Sequence, residues 1–151
     1  MINMNYLRLM YSQTHKIKVN IKEIASELDT LSGESCFYYN KITGELEWFN
    51  DDDENPDGLE LNEVENNPDY IALPTKFDLD DYGIMKDFMF TQEDEKIRSE
   101  MNDALHGNDA FEKFRKVVER HNLLQNWHDF KQADYENEVK NWCEVNELEW
   151  E

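Results

Sequence analysis

Asp53, Asn55 and Asp57 stand at alternate positions and Gly58 follows, in the stretch DENPDGLELNEV from Asp53 to Val64. A calcium-binding EF-hand loop begins this way, with oxygen ligands at its first, third and fifth positions and a glycine at the sixth for the sharp turn. The last position, where a bidentate glutamate belongs, is Val64, with Glu63 and Glu65 on either side, and Pro56 interrupts the first half. The segment ahead of the loop reads as a strand, not as the entering helix of an EF-hand. A calcium site from Asp53, Asn55, Asp57 and Glu63 or Glu65 would therefore lack the ligand that supplies much of the affinity. No other cofactor is expected.

The same residues admit two further readings, a hydrated acidic loop and a surface that meets something positive. Glu45 to Asp69 holds 11 acidic groups and no lysine or arginine, a density that steers a basic partner toward it. On that reading Asp51, Asp52, Asp53, Glu54, Asp57, Glu60, Glu63 and Glu65 form the contact surface. They would imitate nucleic-acid phosphates toward a nucleic-acid-binding protein.

Lys113, Lys116 and Arg120 fall at i, i+3 and i+7, so they share one helix face. That stripe reads as a solvated face, as a dock for the chain's own acidic loop, or as a site for a phosphate or carboxylate ligand. His15, His106, His121 and His128 raise the question of zinc, but neither a Cys pair nor HExxH spacing accompanies them. His121 and His128 would share a face only in a continuous helix, and Asn122-Leu123-Leu124 suggests a break. No GxSxG elbow, oxyanion glycine cluster or phosphate-binding loop occurs, and Cys36 lies among aromatic residues as a small core side chain. Carboxylate pairs are so abundant that they carry no information about acid-base work. No catalytic constellation emerges. Tyr38, Trp48, Trp127 and Trp142 are expected in the core, and Trp150 exposed.

The charge of the whole chain limits its partners. Its 151 residues carry 35 acidic against 15 basic groups, a formal charge of -20, which repels nucleic acid and anionic lipid. Residues 1–44 hold five basic and four acidic groups, residues 45–110 four and 21, and residues 111–151 six and 10. The acidity thus belongs to the middle. Cys36 and Cys143 form no CxxC pair, the opening MINMNYLRLMYSQTHK lacks the marks of a leader, and no apolar run is long enough for a membrane span. A cytoplasmic protein of one domain, residues 1–151, with an acidic loop insert at 50–68, is expected.

The elements that must position these residues follow from periodicity. Asn20 with Glu23 makes a capping-box pattern, and Ile21, Ile24, Ala25, Leu28 and Leu31 recur at helical spacing up to Gly33. CFYYNKITGELEWF reads as a β-hairpin closed at Gly44. Ile17 with Val19, and Tyr70 to Leu73, read as extra strands completing a small sheet. From Asp78 the period is helical: one helix through Tyr82, Met85, Phe88 and Met89 capped by Asp78, and a second through Ile97, Met101, Ala104 and Leu105 capped by Thr91. A third, capped by Asp109 with Glu112, turns Phe111, Phe114, Val117 and Val118 inward, and a last carries Trp127, Phe130, Tyr135, Val139 and Trp142. The fold class is α+β, a small antiparallel sheet around the hairpin packed on a predominantly helical C-terminal half.

The order of a short N-terminal helix, FYYNKITGEL, YIALP, YGIMKDF, ALHGNDAFEKFRKVV and LLQNWHDF, with a later Trp142, resembles a bacterial family. This is uncharacterised protein family zero-one-five-eight, in which an AL-x-G-x-x-AF-x-x-F core precedes W-x-x-F. The resemblance covers residues 17–148, is most specific from Ala104 to Phe130, and implies no activity. Thr43-Gly44-Glu45 also matches the family's hairpin, whereas Asn50 to Pro68 and the first dozen residues look peculiar to this chain. A specialised role is expected there. The leading expectation is a non-enzymatic protein whose acidic middle contacts a basic partner; a calcium-binding protein and an enzyme or binder of a small anion at Lys113, Lys116 and Arg120 are the alternatives.

Overall fold

The computed structural model describes residues 3–5 and 17–151. Asn20 stands in an extended conformation and its side chain accepts the amide of Glu23 at 3.1 Å, which starts helix α1 (Ile21–Leu28). Ile21, Ile24, Ala25 and Leu28 form its buried stripe. Strands β1 (Cys36–Asn40) and β2 (Leu46–Phe49) make the hairpin, paired from Cys36↔Phe49 to Tyr39↔Leu46. Its turn is built by Asn40, whose side chain accepts the amides of Ile42 and Thr43, and by Gly44, whose φ of 77° suits glycine. Strand β3 (Tyr70–Ala72) joins the other side of β1, so the antiparallel order is β2-β1-β3. The fold is α+β, as expected.

Each edge strand of this sheet has a carbonyl engaged by a side chain. The side-chain amide of Asn55 donates to the Trp48 carbonyl of β2 at 2.9 Å, and the indole N–H of Trp142 donates to the Ala72 carbonyl of β3 at 2.7 Å. Ile17 and Val19 do not extend the sheet as expected. Val19 instead makes a separate parallel bridge with Trp150, its amide donating to Glu149 at 2.8 Å and its carbonyl accepting from Glu151 at 3.0 Å. The acidic segment is also more structured than a plain loop, because it contains a short helix α2 (Leu61–Glu65) anchored by Val64, which is 2% exposed.

Downstream, two expected caps move and a third keeps its place without a side-chain bond. Asp78 accepts from the amide and hydroxyl of Thr75 at the start of the short helix α3 (Lys76–Leu79), and the true cap of α4 (Asp81–Thr91) is Asp80. Asp80 has a φ of 53° and accepts the amide of Gly83 at 3.1 Å. A Cβ at Gly83 would lie 2.3 Å from that carboxylate, so the glycine makes room for the cap. Thr91 closes α4 by donating to the Phe88 carbonyl, while Asp94 caps α5 (Glu95–Leu105) through the amides of Lys96 and Ile97. Asp109 precedes α6 (Ala110–Arg120) without any side-chain cap bond. Asn122, at a φ of 56°, makes the expected break before α7 (Leu124–Val145).

The described residues sort into two compact units, one up to Asp78 together with Glu136–Glu151 and the other Leu79–Tyr135. The first holds the sheet, α1 and α2, with Phe37, Tyr39, Phe49, Val139, Trp142 and Cys143 buried. Tyr39 and Trp142 meet edge to face at 5.5 Å. The second unit is helical, and its core is an aromatic cluster in which Phe88 approaches Trp127 at 5.5 Å and Phe130 at 5.3 Å, and Phe114 approaches Trp127 at 5.1 Å. Some aromatics expected inside are not: Tyr38 is half-buried on β1, Trp48 is 38% exposed on the edge strand, and Phe111 is 58% exposed in the first turn of α6. Periodicity gives the face of a helix but not how far along that face its cover extends. Trp150 is exposed, as expected.

Candidate functional site

Two neighbouring elements of the first unit leave a groove of about 740 Å³, lined by α1 with the residues just before it, by the hairpin, and by Asp57. The cap at Asn20 and the buried stripe of α1 fix the orientation of that helix, and Glu23 and Glu27, one turn apart on it, line the groove. The tight turn at Asn40 and Gly44 brings Glu45 and Glu47 to it. Asp57 is held by Asn55, whose side-chain oxygen accepts the amides of Asp57 at 2.8 Å and Leu59 at 3.2 Å while its amide group donates to the Glu47 carboxylate at 3.2 Å. Ile24, Phe37, Tyr39 and Leu46 supply apolar lining, and Lys18 is the one basic residue among the lining.

The electrostatics of the groove are unbalanced. None of Glu23, Glu27, Glu45, Glu47 and Asp57 makes an ion pair among the described residues. The carboxylates expected at a contact surface are likewise without cationic partners there: Asp51, Asp52, Asp53 and Glu54 on the turn after β2, Glu60 ahead of α2, and Glu63 and Glu65 within it. Asn50 organises the first group by accepting the amides of Asp52 and Glu54, each at 2.9 Å. Glu65 accepts from the hydroxyl of Tyr38 at 3.4 Å. Burial first, and then the negative charges of Asp53 and Glu65, raise the pKa of the Cys36 thiol; burial first and then Glu65 raise that of Tyr38. Phe37 and Tyr39 alternate with Cys36 and Tyr38 along β1. The acidic segment thus sends Asp57 to the groove and Asp53 and Glu65 to the neighbourhood of Cys36 and Tyr38.

Among the described residues no three His, Cys, Asp or Glu side chains gather as metal ligands, and the Asn55 oxygen is already engaged by backbone amides. His15 lies outside the described residues. His106 contacts the Asn102 carbonyl at 2.7 Å, His121 bonds the Glu100 carboxylate, and His128 is exposed on α7. The basic stripe of α6 meets the protein's own groups: Lys116 pairs with Glu112 at 3.4 Å and Arg120 with Glu100 at 3.3 Å. The Lys113 ammonium lies 3.1 Å from where a Cβ at Gly107 would stand, just past the C-terminus of α5. Glu100 has its pKa lowered, first by the His121 hydrogen bond and then by the charges of His121, Arg120 and Lys96. Cys36 and Cys143 are free, and burial pushes the Cys143 thiol up to about 11, far from the thiolate a nucleophile requires.

Glu23, Glu27, Glu45 and Glu47 were not singled out as site residues by the sequence. The available signal was the i, i+4 pair on α1 and the alternate spacing of Glu45 and Glu47 at the start of β2. Fold and groove together define a small α+β protein with an acidic concavity beside a three-stranded sheet, and among the described residues no helix is long and apolar enough to cross a membrane. The chain belongs to the Uncharacterised protein family (UPF0158), whose profile matches residues 12–151 and runs across the acidic segment. Comparison with curated proteins finds no match, and comparison with solved structures finds none either.

Proposed function

We propose that this protein is a non-enzymatic interaction protein whose acidic groove receives a lysine- or arginine-rich segment of a partner that itself binds nucleic acid. The observation that carries this reading is the groove: five carboxylate residues without ion pairs, set around apolar lining. A basic side chain buries its aliphatic stem while its head stays at a polar rim. Ile24, Phe37 and Leu46 offer that apolar contact, and the carboxylates offer the counter-charge. Asp51, Asp52, Asp53, Glu54, Glu60, Glu63 and Glu65 add long-range attraction and raise the association rate, as the phosphates of a nucleic acid would. Nucleic acid and anionic membranes are themselves repelled. The cytoplasm is the proposed setting, in keeping with two free thiols.

The test is a calorimetric titration with a lysine- and arginine-rich peptide at two salt concentrations. Two variants are compared with wild type, the groove form (Glu23→Gln, Glu27→Gln, Glu45→Gln, Asp57→Asn) and the outer form (Asp51→Asn, Asp52→Asn, Asp53→Asn, Glu54→Gln). The groove form is expected to bind at least tenfold more weakly, about 1.4 kcal/mol, and the outer form to lose mainly association rate. Equal affinity of wild type and the groove form would sink the proposal. A pull-down with nuclease treatment then identifies the partner.

A further inference from the structure

Helices α6 and α7 repeat one arrangement. Phe111 and Arg115 stand four residues apart on α6, and Trp127 and Lys131 four apart on α7, so each helix presents a ring and a cation one turn from each other. Between them lies a cleft of about 170 Å³, with Met85, Phe114 and Trp127 at its buried end and Phe111, Arg115 and His128 at its exposed end. Exposure of the Phe111 ring, unexpected from its periodicity, belongs to this cleft. A cavity of about 150 Å³ is enough for a single aromatic ring.

The polar groups decide what kind of ring. The Nε of Arg115 donates to Glu119 at 2.9 Å, and its two terminal amino groups have no partner among the described residues. His128 likewise has none. The Lys131 ammonium lies 5.7 Å from the centre of the Trp127 ring, so the cation seat on that ring is taken by the protein itself. Asp81, the one acidic residue lining the cleft, accepts from the Tyr135 hydroxyl. Unused hydrogen-bond donors at the mouth and apolar rings behind them fit a small molecule with the reverse polarity.

We propose that this cleft binds a small aromatic carboxylate, its ring against Phe111, Phe114 and Trp127 and its carboxylate on the terminal amino groups of Arg115, with His128 as second donor. Arginine's planar fork accepts a carboxylate through two parallel bonds. This site is separate from the paired stripe of Lys116 and Arg120 and independent of the acidic groove.

The probe is benzoate, followed by heteronuclear NMR of the full chain, with benzamide as the neutral twin and inorganic phosphate as the anion without a ring. Benzoate is expected to shift the Trp127 indole resonance to saturation. Benzamide, and benzoate on Arg115→Ala, are each expected to bind at least tenfold more weakly, with phosphate leaving the indole unmoved. Arg115 is exposed, and the same spectra report whether its variant keeps the fold; Phe111→Ser serves as the second variant and should weaken benzoate in the same way. The proposal is overturned by an unsaturable benzoate response, by equal binding of benzamide, by both variants binding like wild type, or by phosphate shifting the indole as benzoate does.

Discussion

Glu112, Glu119 and Glu100 in the helical unit meet Lys116, Arg115 and Arg120 at 3.4, 2.9 and 3.3 Å, whereas the carboxylates from Asp51 to Glu65 meet no cation among the described residues. One chain thus treats the same side-chain chemistry in two ways. In the helical unit opposite charges stand at i, i+4 or on facing helices, where pairing is local and its field is short-ranged. Beside the sheet the acidic groups stand together, so their potentials add outward into solvent. The difference separates charge that is paired locally from charge that meets no cation among the described residues.

The largest effect that would sharpen this contrast concerns the core under the paired charges. Phe114→Ala removes a 1% exposed ring packed on Phe88 and Trp127 and should cost about 3–5 kcal/mol in urea unfolding. A loss below about 1 kcal/mol would mean the helical unit does not depend on that cluster. Next comes binding: neutralising the groove should weaken a basic peptide at least tenfold, while Glu112→Gln with Glu119→Gln should leave it unchanged. If the second pair weakens binding as much as the first, the contrast between the two regions fails.

Capping separates two aspartates of the same appearance. Asp94→Ala deletes two hydrogen bonds to α5 and should cost about 1 kcal/mol, whereas Asp109→Gly deletes none and relieves a φ of 58°, so thermal unfolding should show no loss. The smallest effect is a pH dependence. Glu100 has a folded pKa below its unfolded value, so its stabilisation is present above the unfolded value and lost as pH falls through the folded one. Acid unfolding of Glu100→Gln should therefore be less steep in that window than wild type, and coincident curves would show that the His121–Glu100 bond does not couple to folding.

Local features were legible in the sequence because each is settled within a few residues. Asn20 with the stripe from Ile21 to Leu28, the turn from Asn40 to Gly44, and the break at Asn122 needed only a capping side chain, a positive φ or a change of period. The caps at Asp80 and Asp94 were less so, since aspartates and threonines crowd that stretch and the choice rested on packing beyond the window. The groove was hidden because Glu23 and Glu27 meet Glu45, Glu47 and Asp57 only when α1 lies beside the hairpin. The pattern of Phe111, Arg115, Trp127 and Lys131 was visible as spacing, but not the gap between the helices that carry it.

Composition and periodicity by themselves determined that this chain folds as α+β, that its acidity is concentrated in the middle, and where most helices and the hairpin lie. Those properties follow from local dihedral preference, side-chain period and summed charge, none of which needs distant contacts. Only the tertiary structure decided that Val19 pairs with Trp150 instead of the sheet, that Asn55 holds its own backbone, and which carboxylates surround the groove. Each of these depends on which hydrogen-bonding groups and apolar faces remain uncovered once the nearest partners have been satisfied, a choice made between residues far apart in the chain.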